Sequence, residues 1–213
     1  MKSASENAAN IAEYLLEIKA VKLQPSNPFT WSSGWKSPIY CDNRITLSYA
    51  EIRNYIKRAM ALEIGRQFPQ CNALCGVATA GIAVGALVAD EMNLPYSYCR
   101  PKPKEHGMKN QLEGRIEEGS NVVVVEDLIS TGGSSIKVVD YLRSIGVNVI
   151  GMAAIFTYGF ALADDNMQKA NCPYFTLSSY KELLPAALRN GTIKEAELST
   201  LNAWREDPSS WGK

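Results

Sequence analysis

One segment constrains this chain more than any other. Residues 121–126 read NVVVVE, four consecutive valines closed by an acid, and Asp127 follows at once. A run of β-branched, apolar residues with no alternation belongs to a strand buried on both faces. Such strands occur in parallel sheets covered by helices on each side. The neighbouring segments follow the same plan. Expected strands at 73–77 (ALCGV), 96–99 (YSYC), 147–156 (VNVIGMAAIF) and 174–177 (YFTL) alternate with expected helices at 82–92, 134–145 and about 160–169. Strand–helix alternation of this kind predicts an α/β fold: an open, mainly parallel, twisted sheet flanked by helices.

The ends are different. An apolar stripe at Ile11, Leu15, Leu16 and Ile18 predicts a short amphipathic helix over 8–20. Residues 24–47 are rich in Pro, Ser, Gly and aromatics and read as short strands and turns. Ser48 and Glu51 form a capping-box pattern that opens a helix to about Phe68. Two helices, about 179–189 and 193–204, finish the chain. We expect a single domain over 1–213, with an N-terminal helix and turn-rich segment (1–47), an α/β core (48–178) and C-terminal helices (179–213).

Charge and composition exclude several functions. The chain has 213 residues, with 22 Lys and Arg against 22 Asp and Glu. That balance argues against a duplex-DNA binder, which would carry a basic excess. A single histidine excludes a multi-histidine metal site. The five cysteines are an odd count without metal-site spacing and read as reduced core residues. The N-terminus lacks the apolar run of a secretory signal, and no stretch approaches the length of a membrane span. The expected compartment is the cytoplasm.

The valine strand leads into the chemistry. After Glu126 and Asp127 come Leu128 and Ile129, then Ser130-Thr131-Gly132-Gly133-Ser134 and a helix. Ligands of open α/β sheets bind at the carboxyl ends of the strands. Glycines let the backbone approach a phosphate closely, and a helix N-terminus supplies free N–H groups. The acids suit sugar hydroxyls or a cation rather than the phosphate itself. Neither a Walker A loop nor a G-x-G-x-x-G fingerprint is present.

A second segment is basic. Residues 100–114, RPKPKEHGMKNQLEG, hold Arg100, Lys102, Lys104, His106 and Lys109. By composition this is equally a solvated surface loop. However, it leaves a buried strand at the expected ligand edge and precedes the phosphate motif by one strand. Cations there would stabilise a departing polyanion, and a closing loop would exclude water.

The strand–acid–acid–φ–φ–[ST]-[ST]-G-G-[ST] pattern resembles the signature of type I phosphoribosyltransferases, which use phosphoribosyl diphosphate (PRPP). Together with R-x-K-x-K-x-H-G at 100–107 and FTWSSGWKSPIYCDNR at 29–44, it is similar to orotate phosphoribosyltransferases over about residues 10–205. The resemblance implies transfer of phosphoribosyl from PRPP to orotate, giving orotidine 5′-phosphate and diphosphate in pyrimidine (UMP) biosynthesis. It implies that residues 29–44 form a hood over the base. PRPP would be bound by Arg100, Lys104, His106, Glu126, Asp127, Leu128, Ile129, Ser130, Thr131, Gly132, Gly133 and Ser134. Catalytic roles would fall to Lys102, Lys104, His106, Glu126 and Asp127, and Ser130 would touch orotate. Mg²⁺ would arrive mainly through PRPP, with no dedicated protein metal site. A homodimer is implied, with the 100–114 loop reaching the neighbouring site.

Three departures stand out. Ser32, Ala80 and Tyr158 occupy places where some members have basic residues. Lys36, Arg44 and Lys102 are the candidates to compensate. A different base, such as a purine, and a PRPP-sensing regulator without turnover are the rival readings. Purine members lack the S-G-x-x-S-P entry, and residues 1–47 are too short for a winged helix.

Overall fold

A computed structural model of the chain describes residues 4–31, 34–100 and 111–212. Helix α1 (Ala4–Glu17) is followed by four short strands: β1 (Val21–Leu23), β2 (Phe29–Thr30), β3 (Lys36–Ser37) and β4 (Ile39–Cys41). β1 pairs antiparallel with β4, and β2 with β3. A 3-10 turn at Asn43–Ser48 leads into α2 (Ala50–Gln67). The expected capping box is not the device that starts α2. Ser48 ends the preceding turn, which Tyr49 N closes onto Thr46 O, and α2 begins beyond it with Tyr49 as an N-cap lacking a side-chain bond.

Then come β5 (Ala73–Val77), α3 (Gly81–Met92), β6 (Tyr96–Cys99), β7 (Leu112–Glu113), β8 (Asn121–Ile129), α4 (Gly133–Ser144), β9 (Asn148–Thr157), α5 (Ala161–Lys169) and β10 (Tyr174–Ser179). Helices α6 (Tyr180–Arg189) and α7 (Leu198–Glu206) close the chain, with a 3-10 turn at Glu195–Glu197 opening the last of them. These elements build a six-stranded sheet in the order β10-β9-β8-β5-β6-β7. Every pairing is parallel except β6 with β7, a two-residue edge inside the segment expected as loop.

The valine run explains the layering. Val123 and Val125 face one hydrophobic cluster with α1, α2, α3, α6 and α7; Val122 and Val124 face another with α4 and α5. All four are 0% exposed. Each fully buried aliphatic side chain of this kind stabilises by about 1.5–3 kcal/mol. The sheet is therefore the middle of three layers, as its unalternating composition required.

One topological fact positions the site. From β5 the chain winds to β6 on one side, then crosses back so that β8 lies on the other side of β5. The carboxyl ends of β5 and β8 thus flank a switch point, the crevice where such sheets bind ligands.

Candidate functional site

A cleft of about 260 Å³ opens at that switch point. Its walls are Ala78–Ala80 after β5, Glu126–Leu128, and Ser130–Ser135. A larger groove of about 550 Å³ lies along the outer face of α2, lined by Asn7, Glu51, Tyr55 and Leu62 among others. It contains neither a glycine turn nor a pair of acids, so the smaller cleft is where the chemistry gathers.

The cleft's floor is the far end of β8. The strand runs three residues beyond the expected Glu126, because β9 is long enough to pair with it as far as Ile129↔Thr157. Ile129 itself is buried and does not line the cleft; its carbonyl accepts from Thr157 Oγ1 at 2.9 Å. Thr157 Oγ1 also accepts from Gly159 N at 3.1 Å, which pins β8 to the end of β9.

Beyond Ile129 the backbone turns. Gly132, at φ 78°, is the N-cap of α4 and places no side chain over the first turn. A Cβ there would sit 2.8 Å from Met167 Cε. The first-turn amides are left without a side-chain cap, which is the arrangement that receives an anion. Asn166 Nδ2 donates to Thr131 O at 2.9 Å and fixes the loop from behind. Gly81, across the cleft, lets α3 approach β8, since a Cβ there would come within 2.6 Å of Val125 O.

The two acids differ. Glu126 is 7% exposed; it accepts from Ser135 Oγ at 2.8 Å and from Asp127 N at 3.0 Å. Burial first, then the charge of Asp127, hold its carboxyl well above the ordinary carboxylate range. Asp127 is only partly buried. Burial raises it too, while its hydrogen bond with Glu126 and the nearby Arg44 charge oppose the rise. Burial thus disfavours the charged form of both acids in this wall.

Of the basic segment, Arg100 is described. It lies 3.7 Å from Glu113, and its N–H donates to Gln111 O at 2.9 Å. Lys102, Lys104, His106 and Lys109 lie outside the described residues, as do Ser32 and Ser33. The root of the segment is nevertheless placed: Ala78 N donates to Cys99 O at 2.9 Å, so the segment departs from the cleft wall.

The N-terminal strands approach the cleft from the β9 side. Trp31 stacks on Tyr158 with ring centroids 5.2 Å apart, and Trp204 meets both edge-on at 5.8 and 5.5 Å. Phe156, Phe160 and Tyr180 complete this cluster. Tyr158, 3% exposed, is thus a packing centre, at a position where the resemblance implies a cation. Lys36 Nζ donates to Thr30 Oγ1 at 2.8 Å. Arg44 is held by both oxygens of Asp42, at 2.7 and 2.9 Å, which lowers the Asp42 carboxyl.

Residues 44–184 match the model of the phosphoribosyl transferase domain family. An orotate phosphoribosyltransferase of Bacteroides thetaiotaomicron is 55% identical over 200 residues, covering 94% of each chain. The chain belongs to the orotate phosphoribosyltransferase family. Among solved structures, the orotate phosphoribosyltransferase of Aeropyrum pernix superposes with a TM-score of 0.74 at 29% identity, covering 86% of this chain and 99% of that one. The Mycobacterium tuberculosis enzyme in complex with 5-phospho-α-D-ribosyl 1-diphosphate has the same fold: TM-score 0.64, 21% identity, 83% of this chain and 98% of that one. Four residues that shape this site carried no signal we could read: Asn43, Ser135, Thr157 and Asn166. Each acts on a backbone or carboxylate that only the fold brings near.

Proposed function

We propose that the chain transfers the 5-phosphoribosyl group of PRPP to a ring nitrogen of orotate, producing orotidine 5′-phosphate and diphosphate. The observation that carries this reading is the cleft itself: uncapped amides of α4 stand beside an acid pair at the sheet's switch point. In a 55%-identical relative named for this activity, the match runs almost end to end.

The roles in this reading are as follows. Amides and hydroxyls of Ser130–Ser134 hold the 5-phosphate against the N-terminus of α4. Asp127, the more exposed acid, accepts from the ribose hydroxyls, and Glu126 orients it from behind. As the bond from the anomeric carbon to the diphosphate oxygen breaks, positive charge grows on the ribose, and the orotate ring nitrogen supplies the electron pair of the new bond. The acid pair stabilises that charge. No protein nucleophile takes part. Arg100, Lys102, Lys104 and His106 meet the diphosphate as its charge builds, and Ser130 touches orotate.

No cluster of three metal-ligating side chains exists among the described residues. The partly exposed Asp127 suits a hard cation only as a secondary ligand. A Mg²⁺ ion would neutralise diphosphate charge while taking most of its oxygens from PRPP. We place the hood at 1–47, the PRPP-binding core at 48–178 and the supporting helices at 179–213. We also read the chain as a homodimer whose 100–114 loop serves the neighbouring site. No helix of the described residues is long and apolar enough to cross a membrane, and the five cysteines are free, which fits a cytoplasmic enzyme. The test is product analysis after incubation with orotate, PRPP and Mg²⁺. One orotidine 5′-phosphate and one diphosphate per orotate consumed are expected; consumption of neither substrate would refute the assignment.

A further inference from the structure

The last four residues of β8 have a ladder partner on one side only. β5 ends at Val77, and its last pair with β8 is Gly76↔Val125. From Glu126 onward, β8 pairs with β9 alone. Glu126 and Leu128 pair with Ala154 and Phe156 of β9, and Asp127 between them has no register partner there. The N–H and C=O of Asp127 thus lie beyond the end of the β5 pairing and at the one residue that the β9 register skips. A backbone pair left unmet there would be costly.

Two side chains take the place of the missing strand. Glu126 Oε1 accepts from Asp127 N at 3.0 Å. Asn43 Nδ2 donates to Asp127 O at 2.7 Å, across a sequence separation of 84 residues. Asn43 is 1% exposed. Its orientation is settled by the Asp127 carbonyl, which can only accept; Cys41 Sγ donates to Asn43 Oδ1 at 3.4 Å. The backbone around it is equally tied. Thr46 Oγ1 donates to Asn43 O at 2.6 Å, and Asp42 N donates to Ala20 O at 2.7 Å.

Asn43 lies two residues past β4, inside the hood. The carboxamide therefore joins the hood to the peptide unit that carries the more exposed acid. We infer that Asn43 is a positioning residue: it holds the hood, and the base beneath it, at a fixed distance from the acid pair and the ribose. It touches no substrate. The inference rests on the phosphoribosyl-transfer reading and extends it to a residue outside the cleft.

The experiment compares wild type with Asn43→Ala, measuring kcat and KM separately for orotate and PRPP, with PRPP binding measured directly. PRPP is held by the Ser130–Ser134 loop, so its affinity should stay within about threefold of wild type. Misplacement of the base by a fraction of an ångström should lower kcat/KM for orotate by about 10- to 100-fold. A merely structural residue would instead reduce the active fraction, leaving both KM values untouched. Wild-type orotate turnover, or an equal loss for both substrates, would overturn the inference. If Asn43→Ala does not fold, Asn43→Ser, which keeps a small donor, carries the same measurement; failure of both to fold would assign Asn43 to stability alone. An inactive wild type would instead refute the underlying reading, which separates the two failures.

Discussion

The two halves of the site are built in different ways. The part that we propose takes the ribose 5-phosphate is one continuous stretch, from Glu126 at the end of β8 through Ser135 in the first turn of α4. The part that we propose takes the base is assembled from pieces distant in sequence: Trp31 on Tyr158, Trp204 against both, and Asn43 on Asp127. A local site takes its geometry from the sheet that carries it. An assembled site takes its geometry from side-chain packing, so it can change its recognition without disturbing the sheet.

Substitutions can break that contrast. The largest effect should come from Gly132→Val. A β-branched residue at φ 78° costs about 1–2 kcal/mol in backbone strain alone, and it also drives a side chain toward Met167. PRPP binding should be lost, whatever base is offered; retained PRPP affinity in a titration would show that the loop does not hold the phosphate.

Asp127→Asn comes next, with kcat lowered by about 100-fold and PRPP affinity less affected, as for loss of one charge-stabilising group. Steady-state rates at saturating PRPP check it. Trp31→Ala belongs to the other half. Removing a partly buried indole should cost roughly 2–3 kcal/mol of stability and raise KM for orotate while leaving PRPP binding in place. Equal damage to both substrates would erase the distinction between the halves.

The smallest effect concerns Glu126. Its carboxyl is raised from an ordinary value near 4.5 by burial. Below that value it is protonated whether the chain is folded or unfolded, and its contribution to stability is complete. As pH rises through the elevated folded value, the unfolded chain ionises more readily and folded stability falls. Glu126→Gln removes that loss, since Ser135 Oγ can turn to accept from the amide. Its Tm should exceed wild type by roughly 2–4 °C at pH 8, with the gap closing toward pH 4. A gap that is constant with pH would mean that Glu126 does not titrate abnormally.

The same contrast explains what the sequence could convey. The valine run, the acid pair and the Ser-Thr-Gly-Gly-Ser turn are contiguous, so the parallel sheet, its layers and the cleft were legible before any coordinates. The extension of β8 to Ile129 was not, because it depends on the length of its neighbour β9. Ser48 and Glu51 had the right spacing for a capping box, but a tight turn ending at Ser48 had already claimed that position. Tyr158 read as a missing cation; the fold makes it the centre of an aromatic cluster. Asn43 lay in plain view in a motif, yet its partner is a backbone carbonyl 84 residues away, and no side-chain pattern encodes that.

The most direct test of the whole account is the specificity ratio of the purified protein with PRPP and Mg²⁺ across orotate, uracil and hypoxanthine, followed by loss of base absorbance. Rapid loss of orotate with stoichiometric diphosphate is expected, with turnover of uracil and hypoxanthine lower by at least about 1,000-fold, the discrimination available to a site built for a polar group that the wrong base lacks. Comparable turnover of hypoxanthine, or diphosphate release without loss of orotate, would contradict it.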